Sequence, residues 1–207
     1  MKVILVNGSP HKRGCTYTAL MEVAGTLNQQ EVETEIFHVG IKPISGCTAC
    51  LKCQETGRCN IDDTVNVFLD MAESADGFVF GTPVHYAAAS GAITSFMDRA
   101  FYAQLGGLFA YKPAAAVVSC RRAGATATFD QINRYFTIAN MPIVSSQYWN
   151  MVHGAKPEDV LQDLEGLQTM RTLGLNMTWL LRSIVAGRAA GIQLPELETP
   201  VRTNFIR

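Results

Sequence analysis

The stretch that decides the fold is Met1–Leu27, MKVILVNGSPHKRGCTYTALMEVAGTL. Val3–Val6 is an unbroken apolar run of β-formers, which predicts a strand buried on both faces. From Tyr17 the apolar period changes, and Tyr17, Leu20, Met21, Ala24 and Leu27 fall on one face of a helix. Between them lies Asn7–Thr16, a loop of small residues and hydroxyls with His11, Lys12 and Arg13. A strand, a Gly/Ser/Thr loop and a helix N-terminus form an anion site, because the first helical N–H groups have no partner within the chain. The loop is expected to hold a phosphate. An ordinary capped βα turn is the alternative.

The loop's departures from other phosphate motifs narrow the choice. A P-loop has four residues between its glycines and Lys directly before Ser or Thr. Here five residues separate Gly8 from Gly14, and Cys15 stands where the Lys belongs. The G-x-G-x-x-G dinucleotide pattern is absent, as are the acidic residues of a phospho-receiver site. What remains is a monophosphate gripped by hydroxyls and backbone amides, as in flavodoxin-like folds that seat FMN at the switch point of the sheet.

Composition bounds the class. At 207 residues and 48% apolar, the chain is expected to form one domain, residues 1–207, with a generous core. A net charge of −1 with no Lys/Arg run gives no reason to expect nucleic acid or an anionic membrane as partner. The apolar run after Lys2 is too short for a secretory segment, and Arg182 interrupts the most apolar late helix, which speaks against a membrane span. A cytoplasmic location is expected, where the six cysteines stay reduced unless they bind metal or do redox work.

Working outward, Val32–Val39 predicts a second, more polar edge strand. Asp62 or Asp63 caps a helix with core face Val65, Phe68, Leu69 and Ala72. Gly77–Gly81 is a buried strand, followed by a loop from Thr82 to Ala87 and a helix facing inward with Ile93, Phe96, Met97, Ala100 and Phe101. Ala114–Ser119 is a fourth strand, residues 121–125 its loop, and Phe129, Ile132, Phe136 and Ala139 mark the next helix. Pro142–Ser145 begins a fifth strand, and Tyr148, Trp149 and His153 after it suit a core or interface role, with a substrate role as the alternative. One helical region runs from about Pro157 to Arg188, bent at Gly166 and Gly174, before a surface tail from Gln193 to Arg207 that holds Pro195 and Pro200. Five strands alternating with five helices predict an α/β, doubly wound, five-stranded parallel sheet.

In such a sheet ligands sit at the carboxyl ends of the strands, where residues 8–17, 82–90 and 119–125 meet. The second loop combines a Pro-stiffened backbone, two rings and small residues, which suits a planar heterocycle; His85 and Tyr86 as simple core caps are the alternative. Arg121 or Arg122 offers positive charge for a reduced flavin, or forms a solvated surface pair.

Gly8-Ser9-Pro10 with Gly14-Cys15-Thr16, then Gly81–Tyr86 (GTPVHY), then Phe96-Met97-Asp98-Arg99 resemble the NADPH-dependent FMN reductase group of flavodoxin-like proteins. The cysteine run resembles its iron–sulfur flavoprotein subgroup, and the resemblance spans nearly the whole chain, including Leu164–Met170. It implies non-covalent FMN, a redox role, and a homodimer or homotetramer with the flavin near a subunit interface. Carried over by position, Ser9, His11, Cys15 and Thr16 hold the phosphate, with Gly14 and Tyr17 in the same cofactor loop. Pro83, Val84, His85 and Tyr86 line the ring, and Ser119, Arg121 and Gly124 close its far side. The family often has Arg where this chain has His11, and Asn where it has Cys15.

Cys47, Cys50, Cys53 and Cys59 form C-x2-C-x2-C-x5-C, the centre of an insert over residues 44–63 after the second strand. Two-residue spacings let thiolates converge on one cluster, with the fourth arriving after the turn at Gly57. Zinc also takes four thiolates, but its structural sites usually use two separated knuckles. A [4Fe–4S] site is therefore favoured, and the resemblance implies the same. Cys15 at a helix N-terminus and Cys120 at a strand end are expected to be packing residues, with reactive thiols near positive charge as the alternative, and Asp98 with Arg99 an ion pair fixing a helix.

The expected function is an FMN-dependent oxidoreductase that takes a hydride from NADH or NADPH and passes electrons to a quinone, a flavin, another small acceptor, or through the cluster. No side chain need act as acid or base. The rivals are a non-enzymatic carrier serving a ferredoxin-type protein partner, and a redox or metal sensor built on the four cysteines.

Overall fold

The computed structural model describes residues 1–104, 107–199, 201, 203 and 205. Its central strand is β1 (Lys2–Asn7), buried from Val3 onward because strands flank it and helices cover both its faces. The chain continues through α1 (Cys15–Gln29), β2 (Glu33–His38), α2 (Cys53–Thr56), α3 (Thr64–Ala72) and β3 (Gly77–His85). Then come β4 (Ala88–Ala89), α4 (Gly91–Ala103), β5 (Ala114–Cys120), α5 (Ala125–Ile138), β6 (Met151–His153), α6 (Pro157–Val160) and α7 (Leu164–Ala189).

The sheet order is β2-β1-β3-β5-β6, all parallel, with β4 added antiparallel to the end of β3. From β1 the chain first steps outward to the edge strand β2 and then returns across β1 to β3. The direction of winding reverses there, so the carboxyl ends of β1 and β3 flank a crevice. This is the doubly wound, flavodoxin-like arrangement expected.

Side-chain alternation divides the core in two. Ile4, Val6, Phe78, Phe80, Ala114 and Ala116 face α3, α4 and α5 in a Phe-rich layer. Val3, Leu5, Val79, Ala115 and Val117 face α1 and α7. Val65, Phe68, Leu69 and Ala72 of α3, and Ile93, Phe96, Met97, Ala100 and Phe101 of α4, are buried as their spacing requires. Asp63 supplies the α3 cap, accepting from the Val65 amide at 3.0 Å.

Several boundaries differ from expectation, each for a local reason. α1 starts at Cys15, and its buried face runs through Thr16, Ala19, Leu20, Val23, Ala24 and Leu27, leaving Met21 exposed. Residues 82–85 are not loop: β3 continues through His85 and turns into β4. The fifth strand is interrupted. Ile143 bridges Ala114, the chain leaves the sheet, and pairing resumes with Met151 opposite Val118. The excursion is held by Ser146 Oγ donating to Asn150 Oδ1 at 2.7 Å and by Asn176 Nδ2 donating to Ser145 O at 2.8 Å.

The late helical region is two helices: the first ends at its C-cap, Leu161, and Asp163 caps α7 by accepting from Gly166 N at 2.9 Å. α7 then runs unbroken through Gly174, where a Cβ would lie 2.8 Å from Thr26 Cβ; that glycine lets α1 and α7 approach. Asp98 and Arg99 are not partners, as described below. Described residues beyond Ile192 have no regular structure and are exposed, while Pro200 lies outside the described residues. Among the described residues no helix is long and apolar enough to cross a membrane.

Candidate functional site

The crevice at the ends of β1, β3 and β5 is an open cleft of about 240 Å³. Ser9, His11, Cys15, Thr16, Pro83, Val84, His85, Ser119 and Arg121 line it, together with Cys120, Gly154 and Ala155. Sequence separation is large, but each lies at the carboxyl end of a strand, in the loop that follows one, or in the first turn of α1.

The 8–14 loop is shaped by its own side chains. Asn7 Oδ1 accepts from Ser9 N at 3.1 Å, and Asn7 Nδ2 donates to Lys12 O at 3.2 Å. Ser9 Oγ accepts from His11 N at 3.1 Å, and His38 Nε2 on β2 donates to Ser9 O at 2.9 Å. Ser90 Oγ donates to Gly8 O at 3.1 Å, tying the loop to the start of α4. A Cβ at Gly8 would lie 2.7 Å from Ile93 Cβ, so only glycine fits there without displacement.

The loop ends on Gly14, the N-cap of α1, which offers no side-chain hydrogen bond, and no acidic residue occupies the first helical turn. α5 opens in the same way behind Gly124. By contrast, α3, α4 and α7 are each capped by a side chain: Asp63, Ser90 and Asp163. Two positive helix ends thus lack a side-chain cap at the mouth of the cleft, where orphan N–H groups can meet an anion. Thr16 Oγ1 and Ser119 Oγ share a buried hydrogen bond of 2.7 Å that joins the first turn of α1 to the end of β5.

The far wall is the β3–β4 hairpin. Its tip residues, Tyr86 and Ala87, both adopt left-handed conformations at φ 50° and 61°, without a glycine. Such strain persists where the surroundings enforce it. Here Gly124, at φ 89°, packs so closely that a Cβ would lie 2.6 Å from Ala87 Cα, and Gln131 Oε1 accepts from Ala89 N at 3.1 Å. Tyr86 points fully into solvent, while Tyr17 on α1 and the backbone of Gly14 and Gly124 stand beside the cleft and do not line it. Burial pushes both Cys15 and Cys120 up, and Cys15 Sγ donates to Gly154 O at 3.6 Å.

The four-cysteine segment lies between β2 and α3. Cys47, Cys50, Cys53 and Cys59 line one cavity with Arg99 and Tyr102. Cys47 and Cys50 are exposed, Cys59 is half-buried and Cys53 is buried on the first turn of α2. A backbone hydrogen bond at Lys52 holds the Cys50 thiol below the ordinary thiol range, whereas burial pushes Cys53 up. Among the described residues no three His, Cys, Asp or Glu side chains are placed to hold a metal ion. The thiols therefore share a cavity without converging on one point. As a donor set, four cysteines on a short loop suit an iron–sulfur cluster, in which each thiolate meets a different iron.

Arg99 is the correction to the expected Asp98–Arg99 pair. Adjacent residues on a helix point about 100° apart, so they cannot face one another. Arg99 turns inward to Asp63, with Nη1 to Oδ2 at 2.7 Å and Nη2 to Oδ1 at 2.9 Å. Asp98 instead accepts from the Tyr135 hydroxyl. Burial and that carboxylate together push the Tyr135 phenol well up. Asn7, His38, Ser90 and Arg99 were not legible as site residues. Asn7 at a strand end and Ser90 before an apolar helix carried turn and cap signals, whereas His38 and Arg99 act only across the fold.

A model of the family described as NADPH-dependent FMN reductase matches residues 1–156. An iron–sulfur flavoprotein of Methanocaldococcus jannaschii is 31% identical over 191 residues, covering 89% of this chain and 99% of the relative. An iron–sulfur flavoprotein of Methanosarcina thermophila is 25% identical, covering 91% and 99%. Among solved structures, the NAD(P)H:(acceptor) oxidoreductase FerB from Paracoccus denitrificans aligns with a TM-score of 0.63 at 18% identity, over 88% of this chain and 97% of that one. A WrbA-like flavodoxin from Agrobacterium tumefaciens aligns with a TM-score of 0.61 at 16% identity, over 88% and 97%. These structures share the fold.

Proposed function

The chain belongs to the NADPH-dependent FMN reductase family, and from that premise we propose that the cleft seats FMN and that the protein is a flavin-dependent oxidoreductase. One observation carries the reading: α1 opens into the cleft without a side-chain cap and without an acidic first turn, beside the hydroxyls of Ser9, Thr16 and Ser119. The FMN 5′-phosphate is assigned to that helix end, with Ser9, His11, Gly14, Cys15, Thr16 and Tyr17 as its loop. Pro83, Val84 and His85 are assigned to the ring, with Tyr86 at the open tip of the same hairpin where a bound ring can recruit it, and Ser119, Arg121 and Gly124 to its far side. When bound, FMN accepts a hydride from a nicotinamide donor and yields electrons to an acceptor.

The chain's own residues bind, orient and shield. The first-turn amides of α1 offset phosphate charge, and Arg121 offers positive charge at the rim. The strained hairpin supplies a stiff apolar wall that limits water at the ring. No side chain in the cleft is assigned proton transfer. Cys47, Cys50, Cys53 and Cys59 are the residues that would hold a [4Fe–4S] cluster, which adds a one-electron centre.

NADH or NADPH is the donor in this reading, and a quinone, a flavin or another small molecule the acceptor. A second reading is an electron carrier serving a ferredoxin-type protein, which the likeness to iron–sulfur flavoproteins supports. The outer face of α7 exposes Leu175 and Trp179, four residues apart, which supports a homodimer or homotetramer. One domain and a cytoplasmic setting complete the proposal.

The deciding experiment is the visible spectrum of anaerobically purified protein, with iron and sulfide assays and NAD(P)H oxidation in the presence of an added acceptor. Bound FMN, iron with sulfide, and steady oxidation of the nicotinamide are expected. A colourless protein that takes up no FMN sinks the reading. Flavin reduced only by a ferredoxin-type donor selects the carrier, and flavin without iron removes the cluster.

A further inference from the structure

Arg99 heads the largest buried side chains of the protein and sits on α4, outside the cleft. Its guanidinium is fully used. Nη1 donates to Asp63 Oδ2 at 2.7 Å and to Ser45 O at 3.4 Å. Nη2 donates to Asp63 Oδ1 at 2.9 Å and to Ile61 O at 2.8 Å. The remaining donor, Nε, is directed at Cys59 Sγ at 3.2 Å. One side chain therefore ties both ends of the 45–63 segment to α4 and to the cap of α3.

The chemistry of that last contact is specific. A neutral thiol is a weak acceptor, so a guanidinium N–H held against it in a buried site is poorly matched. A metal-bound thiolate is charged, and a donor from a cation matches it well. Asp63 takes both terminal nitrogens in a bidentate pair, which leaves the charge balanced and fixes the direction of Nε. The Cys59 backbone is clamped as well: its N–H donates to Asn66 Oδ1 at 2.9 Å, and its carbonyl accepts from Asn66 Nδ2 at 2.9 Å. Sulfur and backbone of this one cysteine are both held, whereas Cys47 and Cys50 are exposed on the loop.

We propose that Arg99 is a positioning residue for the four-cysteine site, fixing the Cys59 sulfur as the pre-set ligand and stabilising the reduced cluster through the Nε–H···S bond. The inference rests on the cluster reading above and deepens it. A donor to a ligand sulfur favours the state with one more electron, so it raises the reduction potential. Lysine at this position keeps a cation for Asp63 but cannot hold both carboxylate oxygens and the sulfur together.

The test uses the full chain with Arg99→Lys and Arg99→Gln, loaded anaerobically with iron and sulfide, and reads the cluster midpoint by spectroscopically monitored redox titration. FMN binding, scored by quenching of flavin fluorescence, reports that the fold is intact. The expected result is unchanged FMN binding with a lowered midpoint in both variants. A tenfold loss of preference for the reduced state corresponds to about 59 mV for one electron. Variants that bind FMN but hold markedly less iron per chain support the role too. Loaded variants with the parent's midpoint overturn it, and Arg99→Lys decides the matter if Arg99→Gln fails to fold. A parent protein that binds FMN but takes up no iron or sulfide removes the cluster reading itself, a failure visible before any variant is made.

Discussion

Asp63 caps α3 through Val65 and meets Arg99 with both oxygens, so one carboxylate joins a helix start to a buried cation. Burial alone would raise the Asp63 carboxyl, but the hydrogen bonds and charge of Arg99, with the Val65 amide, outweigh it and hold the group below its ordinary 3.8. A depressed carboxylate contributes stability that is fully present above the unfolded value and is lost as pH falls through the folded one. Asp63→Asn leaves Arg99 buried without its counter-charge and is expected to cost about 3 kcal/mol at pH 7. The gap between parent and variant should narrow below about pH 4. Urea midpoints at neutral and acid pH check both statements; a gap independent of pH would mean that Asp63 acts only as a neutral cap. The cap was legible from sequence, since Asp62 or Asp63 precedes an apolar helical pattern. The ion pair was not, because its partner lies 36 residues further on.

At the scale of elements, α1 and α7 show how contact decides the value of a small residue. Gly174 of α7 faces α1, where an added Cβ would lie 2.8 Å from Thr26 Cβ and 3.2 Å from the Val23 carbonyl. Gly25 of α1 has nothing within 4 Å of the same position. Alanine gains up to about 1 kcal/mol over glycine in a helix interior. Gly25→Ala is therefore expected to raise the thermal midpoint. Gly174→Ala is expected to lower it, because a backbone carbonyl cannot step aside and overpacking typically costs about 1–3 kcal/mol. Calorimetry of the two variants checks the contrast, and equal shifts would contradict the close approach. Sequence periodicity located both helices but read Gly174 as a bend. It also merged α6 with α7, because three residues of turn, 161–163, do not disturb an apolar pattern that resumes on the same face.

Over the whole molecule, the cleft is assembled from the ends of β1, β3 and β5 and from the start of α1, elements that different loops connect. Any ligand bound there braces all of them and none of the unfolded chain, so it stabilises by mass action. FMN at a hundredfold excess over its dissociation constant is expected to add about 2.7 kcal/mol. Thermal shifts against FMN concentration check this; a midpoint that does not move with FMN argues against the cleft as its site. The chain's periodicity by itself determined the parallel sheet and its two covered faces, because a strand buried on both sides must be apolar throughout and a helix over it must be apolar at every third or fourth place. The loop after β1 and the four cysteines were legible for the same reason: their chemistry is written in adjacent residues. Only the tertiary structure decided that His38 and Ser90 brace the loop, that the fifth strand breaks, and that Arg99 reaches Asp63 and the Cys59 sulfur. Those contacts join residues far apart in the chain, and their energy comes from burial and charge neutralisation that exist only once the core has closed.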